Sequence, residues 1–350
     1  MFTWCLLSYL LLGQTAAPLA PPPPAPVIIY AVGDIALVGN AERELGGHFP
    51  DAFAQVKPLL SDRDVAICNL EAPLTRRGQE FMDKEFRFRA PAEALPAIQD
   101  AGFNVFGLAN NHMMDFGAVG LKDTLAALEE ARVYHAGAGA NLAAARRPAV
   151  VSLPERKTSV AVLSYAMTFP EEFFATRLKS GTAPGNIEYI GEDVAAAKKV
   201  APIVVVAAHW SEELLQTPKD YQRETAHLAI EQGAALVVGH HPHVLQGVEF
   251  YRDGVIFYSL GNFAFGSYSQ RCRTSAIARL EFSPEGKLQK VEAIPVWVYN
   301  PEVNFQPRPL SGKAGEAVAD ELREISKPFG TQVSYDPASG RMTLQPPAAH

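Results

Sequence analysis

Cysteine is scarce in this chain: Cys5, Cys68 and Cys272 are the three in 350 residues. So few exclude a disulfide framework, and without any Cys-x-x-Cys pair the common zinc-finger spacing is absent too. A Cys68–Cys272 bridge stays open in an oxidising compartment, although Cys68 inside "VAICNL" reads as a small buried hydrophobe. A basic stripe is also missing. Lys and Arg number 31 against 38 Asp and Glu, a formal net charge of -7. That balance excludes a general nucleic-acid binder. The small clusters Arg76-Arg77, Arg87 with Arg89, and Arg146-Arg147 read as solvated faces, Arg87 and Arg89 least so.

Long hydrophobic runs are lacking as well. The strongest, Leu6 to Leu12, falls well short of the ~20 apolar residues of a membrane-spanning helix. It resembles the apolar core of a secretory signal followed by small residues, although no Lys or Arg precedes it and Pro18 and Pro21 follow the small-residue sites. Residues 1–20 are therefore expected to be a signal or anchor segment, and 21–26 a stiff proline-rich spacer. That reading places the remainder outside the cytoplasm. There is no internal repeat, and no low-complexity stretch beyond the spacer.

What is present is ordinary globular material, 48% hydrophobic and 20% charged, with length enough for one large domain or two smaller ones. Apolar runs recur: "VIIYAVGD", "DVAICNLE", "NVFGLANNHMMD", "PIVVVAAHWSEE" and "ALVVGHHPH". Each has the β-branched character of a buried strand, and each ends in Asp, Glu, Asn or His. Between them, 92–102, 117–132 and 221–234 carry helical spacing, the last with a glycine stop at Gly233. Alternating strands and helices predict a largely parallel sheet whose ligand site lies beyond the carboxyl ends of the strands. Further strands are expected at 158–166, 253–263, 275–282 and 290–298, the last three forming a local antiparallel or mixed portion. A helix is expected at 315–326, and a frayed end at "LQPPAAH" (344–350).

The strand exits together offer Asp34, Asn69, Glu71, Asn110, Asn111, His112, Asp115, His209, Glu212, Glu213, His240, His241 and His243. Carboxylate, amide and imidazole groups are the ligands of Mn, Fe or Zn ions. Any one of these residues alone reads as structural: a cap, a turn former, a hydrogen-bonded core histidine. His48, His135, His227 and His350 stay in that class. The case for the others is joint, because every run delivers a metal-competent group at the same end.

These motifs resemble those of the CapA-type family of capsule and poly-γ-glutamate biosynthesis proteins. The pieces are "GDIAL" (33–37), "NLEAPLT" (69–75), "LANNHMMDFG" (108–117), "GAGAN" (137–141), "HWSEE" (209–213), "GHHPHVLQ" (239–246) and "YSLGNF" (258–263). The resemblance spans roughly residues 27–298 and implies an α/β fold, a layered αββα sandwich of the calcineurin-like metallophosphoesterase type. On it, 27–300 forms the domain and 301–350 a C-terminal extension with a helix. It implies divalent metal ions, two in number (Mn, Fe or Zn), held by Asp34, Glu71, Asn111, His209, His241 and His243. His112 would be free to protonate a leaving group, with Asp115 orienting its ring. Glu213, His240 and Asn262 would touch substrate or support the ligands. His241 and His243 are two apart, so an extended segment would turn both rings to one side.

Two departures from the wider superfamily are visible. Ala36 stands where a histidine ligand is usual, and Glu71 replaces an aspartate. One ion would therefore rest mainly on Asp34, Glu71 and His243. Ser211 also stands where the family usually has glycine. The function expected is metal-dependent hydrolysis of a phosphoester or polymer bond in anionic-polymer biosynthesis. The alternative is a non-catalytic polymer-binding, export or anchoring part of a complex with membrane-embedded synthesis proteins. A scaffold that has lost its metal is a third reading, opposed by the intact ligand set.

Overall fold

The computed structural model describes residues 25–348. The expected signal or anchor segment 1–20, most of the spacer, and His350 lie outside the described residues.

Two sheets stack face to face. In the first, the central strand Val27–Ala36 is flanked on one side by the parallel strands Val65–Leu70, Val105–Gly107 and Tyr134–Ala136. On its other side the antiparallel strands Thr274–Phe282 and Leu288–Trp297 follow, then the hairpin Gln332–Asp336 with Arg341–Gln345. The second sheet has a parallel centre, Thr158–Ala166, Ile203–His209, Leu236–His240 and Gly254–Phe257. Antiparallel strands Ala149–Leu153 and Val248–Tyr251 close its edges.

Side-chain alternation explains the layering. Along the first strand Val27, Ile29 and Ala31 enter the core between the sheets, while Tyr30 and Val32 face outward. Outside the first sheet lies a second core, closed by helix Gly117–Glu130 through Leu121 and Leu128 and by Phe53 and Phe103. A third core lies outside the second sheet, where helices Ile187–Lys198 and Asp220–Glu231 cover Leu163, Val204 and Val206. Parallel strands buried on both faces must be apolar throughout, which is why these runs lack alternation in sequence. The four layers are helix, sheet, sheet, helix, as expected from the resemblance.

The stretch beyond residue 300 carries its helix at Gly312–Ser326. Val318, Ala319 and Leu322 of that helix join the inter-sheet core, and the hairpin behind it extends the first sheet. These residues share one core with the strands before them.

Three expectations need correction. The segment 253–263 is two strands, not one. Gly254–Phe257 belongs to the second sheet, and Asn262–Phe265 pairs with Val27–Ala36 in the first, so the chain crosses between sheets at Ser259–Gly261. Cys68 and Cys272 are both buried free thiols, so no bridge forms. Of the end expected to fray, 344–350, Leu344 and Gln345 belong instead to the paired strand Arg341–Gln345.

Candidate metal centre

The carboxyl ends of the parallel strands converge as the fold requires. Asp34 and Asn69 sit near the ends of their strands, His209 and His240 are the last residues of theirs, and Asn110–His112 follow Val105–Gly107. Two close approaches seat the strand ends against the segment Tyr258–Gly261. A Cβ on Gly33 would lie 1.9 Å from the Gly261 carbonyl oxygen, and one on Gly239 would lie 1.8 Å from that of Tyr258. Only glycine lets both strands press on the crossing segment.

Asp34 is fully buried and central. Its Oδ1 accepts from Asn69 Nδ2 at 2.8 Å and lies 3.1 Å from His240 Nδ1. Its Oδ2 accepts from the His241 amide at 3.3 Å and lies 3.2 Å from His243 Nδ1. Burial would push this carboxyl up, but the bonds with His240 and His243 outweigh it and hold Asp34 well below the usual carboxylate range. Glu71 is different. Burial first, then the charges of Asp34 and Glu213, raise its carboxyl well above the ordinary value. One oxygen, Oε2, accepts from Asn69 Nδ2 at 3.1 Å. The other, Oε1, is buried without any hydrogen-bond partner. It lies 3.8 Å from His209 Nε2 and 3.7 Å from His243 Nε2.

Two ligand groups therefore share Glu71. One is Glu71, His209 and His241, the other Asp34, Glu71 and His243, and in each the ligand atoms lie within 4.8 Å of one another. Two ligands at ~2.1 Å from one ion can stand up to ~4.2 Å apart, and Glu71 Oε1, 3.8 Å from His209 Nε2 and 3.7 Å from His243 Nε2, falls within that reach for ions of the Mn, Fe or Zn class. Asn111 joins the first group, with Oδ1 at 2.9 Å from His209 Nε2. The orphaned Glu71 Oε1 and the partnerless buried His241 Nδ1 are what such ions would satisfy. Two of the imidazoles are ready to ligate: burial, then neighbouring histidine charge, keeps His241 down to about 3 and His209 well below its usual value, whereas for His243 burial is outweighed by the hydrogen bond and charge of Asp34, which raise it. The residues present fit a cluster of divalent cations.

The route by which His241 and His243 meet differs from expectation. Neither is extended: φ is +91° at His241 and +57° at His243. Left-handed backbone at non-glycine residues costs of order 1–3 kcal/mol each and is kept where a site demands it. Their rings stand 5.9 Å apart. Ser211 also has φ +74°, a conformation that glycine adopts without strain.

The remaining expected residues fall around this pair of groups. Asp115 Oδ2 is 2.6 Å from His112 Nδ1 and orients the ring, which stacks on Phe88 at 4.0 Å. Burial, and secondarily the Lys84 charge, outweigh Asp115 and lower His112 to about 4, so the ring is neutral at pH 7. Asn262 opens its strand and its Oδ1 accepts from His243 Nδ1 at 2.8 Å. His240 supports Asp34, with Nε2 buried and unpartnered. Glu213 is exposed and acts on Glu71 and His243 through charge. Asn110 is a turn builder, accepting from the His112 and Met113 amides at 3.1 and 2.9 Å.

Lys84 was missed by sequence reasoning, and Asn69 was read only as one polar residue at a strand exit. Asn69 links Asp34, Glu71 and, at 3.4 Å, His209 Nδ1. Its place two before Glu71 at a strand end was the available signal. Lys84 stands in the charged run "MDKEF", which looks like solvated surface.

The family model described as "Bacterial capsule synthesis protein PGA_cap" matches residues 28–267, a span that contains every residue of the site. The chain is 34% identical over 264 residues to the capsule biosynthesis protein CapA of Bacillus anthracis, covering 73% of this chain and 64% of that protein. It is 34% identical over 257 residues to the PGA biosynthesis protein CapA of Bacillus subtilis, covering 73% and 67%. A probable polyglutamine synthesis accessory protein of Mycobacterium tuberculosis is 36% identical over 210 residues, 57% of this chain and 55% of that one. The chain thus spans about two thirds or less of the length of these relatives. Among solved structures, the NAD nucleotidase of Haemophilus influenzae resembles it with a TM-score of 0.47 at 12% identity, over 85% of this chain and 56% of that one. On the extent of the family match and the identity to its relatives, the chain belongs to the PGA_cap family of bacterial capsule synthesis proteins.

Proposed function

We propose that the chain is a CapA-like accessory protein of capsule or poly-γ-glutamate biosynthesis, working outside the cytoplasm, with a metal-dependent hydrolase site for an anionic polymer or phosphoester. The observation that carries the site reading is Glu71 Oε1: buried, unpartnered, and common to both ligand groups. A buried carboxylate oxygen left without a donor is costly unless a cation takes its place.

When bound, divalent cations supply Lewis acidity and positive charge to an anionic substrate. The chain's own residues set the remaining terms. Asp34 and Glu71 bring two negative charges, the His209 and His241 imidazoles are held neutral, and Lys84 cancels Asp115. Two divalent ions would leave the site net positive even with Glu213 counted, which favours a carboxylate or phosphate ligand. His112, neutral in the free site, would have to take up a proton at its unprotonated ring nitrogen before delivering one to a leaving group. The relatives' names point to poly-γ-glutamate or capsule polymer as that ligand, and membrane-embedded synthesis proteins are the partners this role needs.

A second reading is non-catalytic capture of polymer carboxylates. Buried Ala36 favours it, because it supplies no ligand to the Asp34, Glu71 and His243 group. One experiment separates the two. Protein purified without chelator is assayed for metal by elemental analysis, then for turnover of bis(p-nitrophenyl) phosphate and for shortening of poly-γ-glutamate. Bound metal with turnover supports the hydrolase. Bound metal with polymer binding and no turnover supports capture. Absence of metal refutes both.

A further inference from the structure

Between Thr75 and Ala90 the chain forms a strap without helix or strand. Met82 and Phe86 on it are 70% and 59% exposed. Phe81, Lys84 and Phe88 turn the other way. The Phe81 amide donates to the Asp115 carbonyl at 2.9 Å, and its ring meets Phe173 at 5.0 Å. The Phe88 amide donates to Asp115 Oδ2 at 2.7 Å, and its ring lies on His112 and against Phe265. Lys84 reaches deepest. Its ammonium donates to Asp115 Oδ1 at 2.6 Å and to the Asn111 carbonyl oxygen, and lies 3.1 Å from His112 Nδ1. The Phe173 ring covers it at 5.3 Å.

We propose that Lys84 is a positioning residue: it latches the strap to the Asn111–His112 turn and so sets both the Asn111 ligand and the His112 ring. Asp115 accepts only, so at 2.6 Å His112 Nδ1 carries the hydrogen between them, and Lys84 is left to bond Asp115 Oδ1 and the Asn111 carbonyl. Three donors, from Lys84, Phe88 and His112, thereby engage both oxygens of Asp115 and hold the ring in its orientation. Mutating the carboxylates and amides that hold metal ligands typically costs ~10–100-fold in metal affinity. Lys84 extends that support to a loop which sequence marks as solvent.

This inference rests on the metal-centre reading, so the test has one arm that is independent of it. In metal-free protein, hydrogen exchange is followed in peptides covering 79–88 and 110–116. Lys84→Met should speed exchange in both peptides, whereas Asp83→Ala and Glu85→Ala, exposed on the same strap, should not. The second arm titrates Mn2+ calorimetrically: Lys84→Met should weaken binding at least 10-fold, and Lys84→Arg should restore it to within about threefold. Because Lys84→Met leaves Asp115 buried and uncompensated, the pair Lys84→Met with Asp115→Asn is included, and it should still show fast strap exchange and weak binding. Wild-type exchange rates in Lys84→Met overturn the latch. Mn2+ affinity unchanged in Lys84→Met also overturns it. Wild-type protein that binds no Mn2+ overturns the metal-centre reading instead, and the exchange arm still decides the latch.

Discussion

Glu71→Gln is the sharpest test of a shared bridging carboxylate. The substitution keeps the size and removes the charge from the one oxygen that belongs to both ligand groups. A cation bound at 100 times its dissociation constant stabilises the fold by ~2.7 kcal/mol, so two sites give roughly 5 kcal/mol. At the low end of ~2–4 °C per kcal/mol, the wild-type Tm should rise by roughly 10 °C with saturating Mn2+. Loss of a shared ligand weakens both sites. A 100-fold loss at each reduces the stabilisation to ~0.4 kcal/mol per site, a shift of about 2 °C in all. Without metal the variant should be no less stable than wild type, because Glu71 is a buried carboxyl facing Asp34 and Glu213. The assay is a thermal melt with and without Mn2+, with metal content measured in parallel. A Glu71→Gln protein that keeps the full metal shift and the wild-type metal content would refute the bridging argument. A variant that loses one equivalent only would show that Glu71 serves a single ion.

His241→Ala removes a ligand from one group alone and should lower metal content by about one equivalent, whereas His243→Ala should deplete the other; elemental analysis of both variants checks the assignment. Ser211→Gly should raise stability by about 0.5–1 kcal/mol in urea melts, since it relieves a left-handed φ of +74° and removes a buried hydroxyl with no partner. Gly239→Ala should cost several kcal/mol and at least 10-fold in Mn2+ affinity, because its Cβ would overlap the Tyr258 carbonyl and the Trp210 indole nitrogen and displace the strand end that carries His240–His243. A Gly239→Ala protein with wild-type Tm and Mn2+ affinity would show that the close approach does not set the site.

The chain by itself determined the strands and where the chemistry lies along them. Apolar β-branched runs ending in Asp, Asn and His can only be buried parallel strands with polar exits, and Thr158–Ala166 begins and ends where its pattern says. The ligand types and their motif order were equally legible, because metal chemistry restricts which side chains serve. Sequence could not show that "DGVIFYSLGNF" divides between two sheets, since both halves are apolar and the break depends on which partner strand each half meets. It could not show that His241 and His243 meet through left-handed backbone rather than extension, because φ is imposed by Asp34 and the crossing segment packed against them. Nor could it lift Lys84 out of a charged run: an ammonium becomes buried and functional only when a distant carboxylate, here Asp115 thirty-one residues on, is folded against it. Local pattern dictates elements, but a site of shared ligands is a set of long-range contacts, and only tertiary packing decides those.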